Sequence, residues 1–315
     1  MDRHRLRELI KKMEKHMDRK LTGIMPALMT AFDDTTGGIS RDKTAALVKK
    51  LKAAGVHGLY VGGSSGEMVF CSVEERMELL ETVMEACGDL CVIAHTGAMT
   101  TADALRLSRH AESVGAHAIS SVTPLYYKYS FREIKQYYAR LCEAVSIPVI
   151  LYNIPALTGT TLNANELSDL LSMDGIGGMK FTSSDFFLLN RLKQMFPDKV
   201  FYNGCDEMLL SGLSAGADGG IGTTYNFMPE LMLSIYRLFR EGRMGEAYAA
   251  QSLANQIIAQ VVPKGVLPAC KQMICFSGLD YGVCREPILP LEETAKQELY
   301  EKAWKPVENY IKHMA

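Results

Sequence analysis

A chain of 315 residues, 48% hydrophobic and 22% charged, carries enough apolar material for one large or two ordinary domains around a buried core. Its 34 Lys and Arg against 36 Asp and Glu leave a formal charge of -2, which offers no general field to nucleic acid or to a membrane surface. Its apolar runs fall well short of the roughly 20 residues that span a bilayer, and its eight cysteines, with no CxxC pair, read as reduced thiols among core residues.

The first stretch, residues 1–20, is dense in charged side chains and lacks the continuous apolar segment of a signal peptide, so a cytoplasmic protein is expected. Leu6, Leu9, Ile10, Met13 and Met17 fall on one side of a helix over residues 2–20, a basic amphipathic extension. Beyond it, short apolar runs alternate with amphipathic stretches of helical length, which is the signature of βα units. Eight runs are strand-like: 23–30, 58–61, 90–95, 118–122, 148–152, 176–181, 200–203 and 219–222. Between them, stretches such as 41–54, 73–87, 101–114 and 131–145 space apolar residues by three and four, as helices covering a sheet do. Cap chemistry opens each of these: Ser40, Ser72 with Glu75, Thr100 with Asp103, and Ser130 with Glu133.

Eight strands alternating with helices over about 200 residues predict a closed α/β architecture, the (β/α)8 TIM barrel, over residues 21–240. A doubly wound sheet fits less well, and neither the G-x-G-x-x-G nor the P-loop pattern occurs. After residue 240 the pattern is helical, at 244–261 and 291–313, so a C-terminal helical appendage over 241–315 is expected to pack on the barrel.

Active sites of such barrels lie at the carboxyl ends of the strands, so the residues closing each strand carry the chemistry. These are Gly63 to Glu67 after the second strand, His95 after the third, Thr123 to Tyr127 after the fourth and Tyr152 with Asn153 after the fifth. Lys180 and Thr182 close the sixth, Asn203 to Glu207 the seventh and Thr223 to Asn226 the eighth. Lys180 stands among apolar and glycine neighbours, and alternation puts Ile176, Gly178, Lys180 and Thr182 on one face. If that face points inward, the amine enters the barrel mouth, where burial disfavours an ammonium and a neutral amine attacks carbonyls. The alternative is a lysine that snorkels to solvent or pairs with Asp206 or Glu67. Lys271 also lies among apolar residues, but in a helical segment.

Tyr152 closes the strand next to that of Lys180, and its phenol either shuttles protons or packs. The run Gly62 to Gly66 offers hydroxyls and backbone N–H groups to a carboxylate. It also satisfies G-x-S-x-G, which would make Ser64 an acyl-transfer nucleophile, yet His95, His110, His117 and His313 stand poorly for such a triad. A metal site needs three or four convergent ligands, and only His95 among the histidines closes a strand, so no metal is expected. Asp33 and Asp34 sit in a turn, while Asp206 and Glu207 read as a hydroxyl-binding pair. The glycine-rich run 216–222 fits either a late phosphate site or close backbone approach around the eighth strand.

Taken together, Gly62 to Glu67, Val122 to Tyr126, Tyr152 to Gly159, Gly178 to Thr182, Tyr202 to Glu207 and Gly219 to Asn226 carry a specific resemblance. From about Leu21 onward the chain resembles the pyruvate-dependent class I aldolases of the N-acetylneuraminate lyase and dihydrodipicolinate synthase superfamily. The resemblance implies Lys180 as the Schiff-base lysine, Tyr152 as the proton shuttle, and Ser64 and Ser65 as holders of the pyruvate carboxylate. It further implies that Tyr126 reaches into a neighbouring subunit of a homotetramer, and that Thr182, Gly204, Asp206, Glu207, Gly222 and Thr223 line the site of the sugar tail. Leu157 stands where the synthase pattern has an arginine for a second carboxylate, and Pro155-Ala156-Leu157 follows the lyase pattern instead. Ser65 and Thr223 stand where the lyases have Thr and Ser, so each position keeps a hydroxyl. The implied activity is reversible cleavage of N-acetylneuraminate (sialic acid) to pyruvate and N-acetylmannosamine without a cofactor. An aldolase for another 2-keto-3-deoxy sugar acid, the synthase, and an idle barrel serving as a binding module are the alternatives.

Overall fold

The structure is a computed structural model and describes residues 21–314, so the helix expected over residues 2–20 lies outside the described residues. Strands β1 (Gly23–Pro26), β2 (Gly58–Val61), β3 (Cys91–His95), β4 (Ala118–Val122), β5 (Val149–Asn153), β6 (Ile176–Phe181), β7 (Val200–Asn203) and β8 (Gly219–Gly222) follow one another in chain order. Every named neighbour pair is parallel, from β2 through β8, and β8 returns to β1. Between β1 and β2 the ring closes through the parallel bridge of Ala27 with Tyr60, His57 N–H donating to Ile24 O at 3.0 Å and Leu28 N–H to Tyr60 O at 2.8 Å. This is the expected (β/α)8 barrel. β1 stops at Pro26 rather than running to Thr30 because the chain from Ala27 turns across to β2.

Helices α1 (Arg41–Ala54), α2 (Val73–Cys87), α3 (Thr101–Ser113), α4 (Phe131–Ala144), α5 (Ala164–Leu171), α6 (Phe186–Met195), α7 (Leu209–Ser214) and α8 (Pro229–Arg240) follow the eight strands in turn. Capping boxes start α2 and α4 as anticipated, Ser72 with Glu75 and Ser130 with Glu133, and Thr100 Oγ1 accepts from Asp103 N–H at 3.1 Å. The cap expected of the Ser40 side chain is not made. Ser40 anchors the preceding loop instead, its backbone N–H donating to Ala31 O at 2.9 Å.

Period-two alternation splits the strand residues between two apolar layers. Outward residues such as Val92, Ile119, Leu151, Phe181 and Phe201 merge with the inner faces of the helices. Inward residues, among them Met25, Tyr60, Ile93, Ile150, Tyr152, Tyr202 and Ile221, fill the barrel. One expectation fails here. Val149 pairs with Ile176 but Ile150 pairs with Gly178, so β6 carries an extra residue at Gly177. That bulge inverts the parity below it: Ile176 packs outward with Met179 and Phe181 instead of sharing the face of Lys180.

At the floor of the barrel the hydroxyl of the buried Tyr202 donates to Leu21 O at 2.8 Å. The glycines of β8 answer to close approach. A Cβ on Gly219 would lie 2.0 Å from Gly23 O, and one on Gly220 2.5 Å from the Tyr225 hydroxyl.

Beyond the barrel lie α9 (Met244–Val261), α10 (Val266–Phe276), α11 (Glu293–Leu299) and α12 (Lys305–Met314). The single helix expected over 291–313 is interrupted by a π-helical turn at Tyr300–Trp304. Pro306, which has no N–H for Lys302 O, follows that turn. Ala247, Ala254, Ile257, Leu299 and Ala303 belong to the same core cluster as Leu231 and Ile235 of α8, so these helices pack on the barrel wall. Among the described residues no helix is long and apolar enough to cross a membrane.

Candidate active site

The bulge sets the parity that points Lys180 inward, in register with Tyr152 on one side and Tyr202 on the other. Lys180 is 4% exposed. Its Nζ lies 4.1 Å from the centroid of the Tyr152 ring and 4.5 Å from that of Tyr60, between two aromatic faces inside the ring of strands. Neither carboxylate considered as its partner takes that role. Glu67 is paired with Lys271 at 2.7 Å, and Asp206 accepts from Thr224 N–H at 2.8 Å and Thr224 Oγ1 at 2.7 Å. The snorkelling and ion-paired readings of Lys180 therefore fall away, and a buried amine beside a phenol remains.

Tyr60 escaped the sequence reading, which sought the barrel's chemistry at the residues that close strands. Alternation on β2 was the signal that could have found it. Its hydroxyl donates to Ser120 Oγ at 3.0 Å, Ser120 Oγ donates to Ile150 O at 2.9 Å, and its ring meets that of Tyr152 edge-on at 5.9 Å. The wall is completed by His95. Val122 N–H donates to its Nε2 at 3.3 Å, so Nδ1 carries the proton and donates to Gly62 O at 3.2 Å. Burial first, then the nearby Arg76 guanidinium, hold the imidazole well below its ordinary range, and His95 is neutral. Arg76, also missed, is buried and donates to Gly97 O and His95 O, both at 2.8 Å. Burial lowers it to about 10.

The nucleophile-elbow reading of Ser64 lacks a base. Both His95 nitrogens are spent on backbone, His110 Nε2 pairs with Glu81 at 2.8 Å, and His117 Nδ1 accepts from Val92 N–H at 3.0 Å. His313 faces Asn309 O within the last helix. What Ser64 and Ser65 form is a one-turn 3-10 helix, Ser64–Gly66, directly after β2. Ser65 Oγ and Thr223 Oγ1 share a hydrogen bond of 2.6 Å, which joins the loops after β2 and β8.

On the other flank, a Cβ on Gly204 would stand 2.0 Å from Thr182 Oγ1, and one on Gly222 would stand 2.1 Å from Asp206 Oδ1. The absence of side chains at these glycines lets β6, β7 and β8 converge. Asp206 and Glu207 are not equivalent: Asp206 is buried and tied to Thr224, whereas Glu207 is exposed. Burial raises the Asp206 carboxyl from 3.8 to about 6 although the two Thr224 bonds pull it down. Two residues stand apart from this cluster. Tyr126 is 82% exposed, with a left-handed φ of 77° and its ring against Tyr127 at 5.0 Å. Leu157 is exposed on the single helical turn Pro155–Thr158.

A model of the dihydrodipicolinate synthetase family matches residues 20–305. The chain belongs to the dihydrodipicolinate synthetase family. This member of the family is 43% identical over 284 residues to an N-acetylneuraminate lyase of Rhizobium meliloti (strain 1021), spanning 90% of this chain and 94% of that protein. It is 38% identical over 298 residues to the N-acetylneuraminate lyase of Enterobacter sp. (strain 638), spanning 91% and 100%. Among solved structures of similar fold, the wild-type sialic acid aldolase of Ruminococcus gnavus superposes with a TM-score of 0.89 at 33% identity, over 93% of this chain and 99% of that one. A catalytic lysine mutant of the same aldolase gives 0.90 at 32% identity, over 95% and 99%.

Proposed function

We propose that the chain is a carbon–carbon lyase, a class I aldolase that reversibly cleaves N-acetylneuraminate to pyruvate and N-acetylmannosamine. The observation that carries the reading is the Lys180 amine, buried between the rings of Tyr152 and Tyr60 and free of either expected carboxylate. Identity of 43% to a lyase of that name, over nine-tenths of the chain, supports the choice of substrate.

In the reaction, Lys180 Nζ attacks the C2 carbonyl of the open-chain sugar acid and water leaves as the iminium forms. Tyr152 takes the proton of the C4 hydroxyl, the C3–C4 bond breaks, and its electrons pass into the iminium to give an enamine and the free aldehyde. Protonation at C3 and hydrolysis then release pyruvate and return the amine. The imine is the electron sink, so the scheme uses no cofactor and no metal. Ser64 and Ser65 hold the pyruvate carboxylate through hydroxyls and backbone N–H groups, a role supported by the tight turn that carries them. Thr182, Gly204, Asp206, Glu207, Gly222 and Thr223 receive the hydroxylated tail, and the Thr182 hydroxyl, buried without a hydrogen-bond partner among the described residues, is suited to it.

The small-molecule substrate, with no nucleic-acid or membrane partner, fits the balanced charge of -2. Tyr126 completes the site of a second copy in a homotetramer, a reading supported by its exposure and its left-handed backbone. We assign the enzyme to the cytoplasm, in keeping with charged residues 1–20 that lack the continuous apolar segment of a signal peptide, and divide the chain into an extension (1–20), a catalytic barrel (21–240) and a helical region (241–315). The uncharged Leu157 disfavours a dicarboxylate substrate.

Borohydride reduction with pyruvate, followed by peptide mapping, tests the reading: the adduct belongs on Lys180, and Lys180→Ala abolishes both adduct and turnover. Pyruvate release across sialic acid and several 2-keto-3-deoxy sugar acids identifies the substrate. An unmodified Lys180 removes the proposal.

A further inference from the structure

The turn that carries Ser64 and Ser65 ends at Glu67, a non-glycine residue at φ 56°. Such a backbone persists only where its surroundings over-determine it. Those surroundings lie outside the barrel. The Glu67 side chain is fully buried, and its Oε1 meets Nζ of Lys271 on α10 at 2.7 Å. Its Oε2 accepts from Arg285 N–H at 2.8 Å. Lys271 is equally enclosed, donating to Val283 O at 2.7 Å with its ammonium 4.5 Å from the centroid of Phe32. Both charges are therefore partnered within the core, Glu67 by the α10 lysine and the Arg285 N–H, and Lys271 by Glu67, Val283 O and the Phe32 ring of the loop after β1. The same turn is held on its barrel side by Thr30 Oγ1 donating to Gly66 O at 2.7 Å.

A buried ion pair contributes little net stability compared with an apolar pair of similar volume. What this one supplies is geometry, because hydrogen bonds on both partners leave the turn one position. Arg285 adds to the clamp from the following residues, donating to Phe70 O at 2.7 Å and to Glu75 Oε2 at 2.9 Å beyond the turn.

We propose that Glu67 and Lys271 are positioning residues: the C-terminal helix α10 sets the geometry of the Ser64–Ser65 cradle through this buried pair. Recognition of the substrate carboxylate then depends on a region outside the eight-stranded ring. The inference rests on the proposed role of that cradle in holding the carboxylate of pyruvate.

The test compares the full-length wild type, Lys271→Met, Glu67→Gln, the Glu67→Gln/Lys271→Met double variant and Lys271→Arg. Thermal melting and condensation kinetics are read for pyruvate and N-acetylmannosamine. Each single variant strands one buried polar or charged group and is expected to melt lower, whereas the double variant removes the pair together and regains much of that loss. In the double variant the KM for pyruvate is expected to rise about tenfold, with the KM for N-acetylmannosamine within about twofold of wild type. Lys271→Arg keeps a cation but shifts it, and is expected to raise the pyruvate KM about threefold. Wild-type pyruvate KM in either of these last two variants overturns the proposal, and so does an equal rise in both KM values. Absence of the borohydride adduct from the wild type itself strikes the aldolase reading rather than the positioning role.

Discussion

Replacing Asp206 with Asn is expected to make the protein more stable at neutral pH while weakening its hold on the sugar. Asp206 is 8% exposed, and its carboxyl is raised from 3.8 to about 6, chiefly by burial. Because the folded-state value lies above the unfolded one, the folded chain binds more protons between those two values, and stability falls as pH rises through that window. Above about pH 6 the ionised group costs about 3 kcal/mol relative to a neutral one, a figure already net of the two Thr224 bonds that favour the carboxylate. An Asn side chain retains an oxygen for Thr224 N–H and Oγ1 and carries no charge to desolvate. Differential scanning calorimetry of wild type and Asp206→Asn at pH 7.5 and pH 4.5 reads the difference. The variant should melt several degrees higher at pH 7.5, and the gap should narrow at pH 4.5 as wild-type Asp206 takes up its proton. In parallel, the KM for sialic acid should rise about tenfold, because a neutral amide accepts sugar hydroxyls less strongly than a carboxylate. A variant that melts lower than wild type at pH 7.5, or a gap that does not change with pH, refutes the assignment of a desolvated carboxylate.

Tyr152→Phe keeps the ring beside Lys180 Nζ and removes only the hydroxyl. The pyruvate adduct should still form, while steady-state cleavage drops by about 10²-fold to 10⁴-fold. Equal loss of trapping and turnover would instead assign the phenol to imine formation. Gly222→Ala drives a Cβ to 2.1 Å from Asp206 Oδ1 and 2.5 Å from Tyr225 Cε1, and Asp206 is tethered to Thr224. A loss of about 1–3 kcal/mol in denaturant unfolding, with a raised KM for sialic acid, is expected. Tyr126→Ala removes an exposed ring from the surface. If the proposed homotetramer forms through Tyr126, sedimentation velocity should show weaker self-association than wild type and assays a lowered kcat, and a variant with unchanged assembly and rate would remove Tyr126 from that role.

Much of the barrel is written in local patterns. The bounds expected for β2, β4, β6, β7 and β8 coincide with those observed, because short apolar runs bounded by Gly, Ser or Asn are signals that neighbours along the chain carry by themselves. The capping boxes at Ser72 and Ser130 were equally legible, since all their groups lie within one turn. Ser40 stands at the same place before its helix but has Lys43 where the boxes have Glu, and its backbone N–H is engaged by Ala31 in the preceding loop. The site was half legible. Strand-end position singled out Lys180, Tyr152, Ser65 and Thr223, while Tyr60 and Arg76 were passed over because their partners lie far away in the chain.

Alternation of strands and helices, and the isolation of one lysine among glycines and apolar residues, were settled by the order of residues alone. The fold itself had to decide which way that lysine points, since the extra residue at Gly177 reverses the parity of β6 in a way that only pairing with β5 reveals. It also decided which carboxylates stay away from the amine, by engaging Glu67 with Lys271 and Asp206 with Thr224. Periodicity acts over a few residues, whereas a ring closed by the last strand against the first brings together groups some two hundred positions apart, and their contacts exist only after that closure.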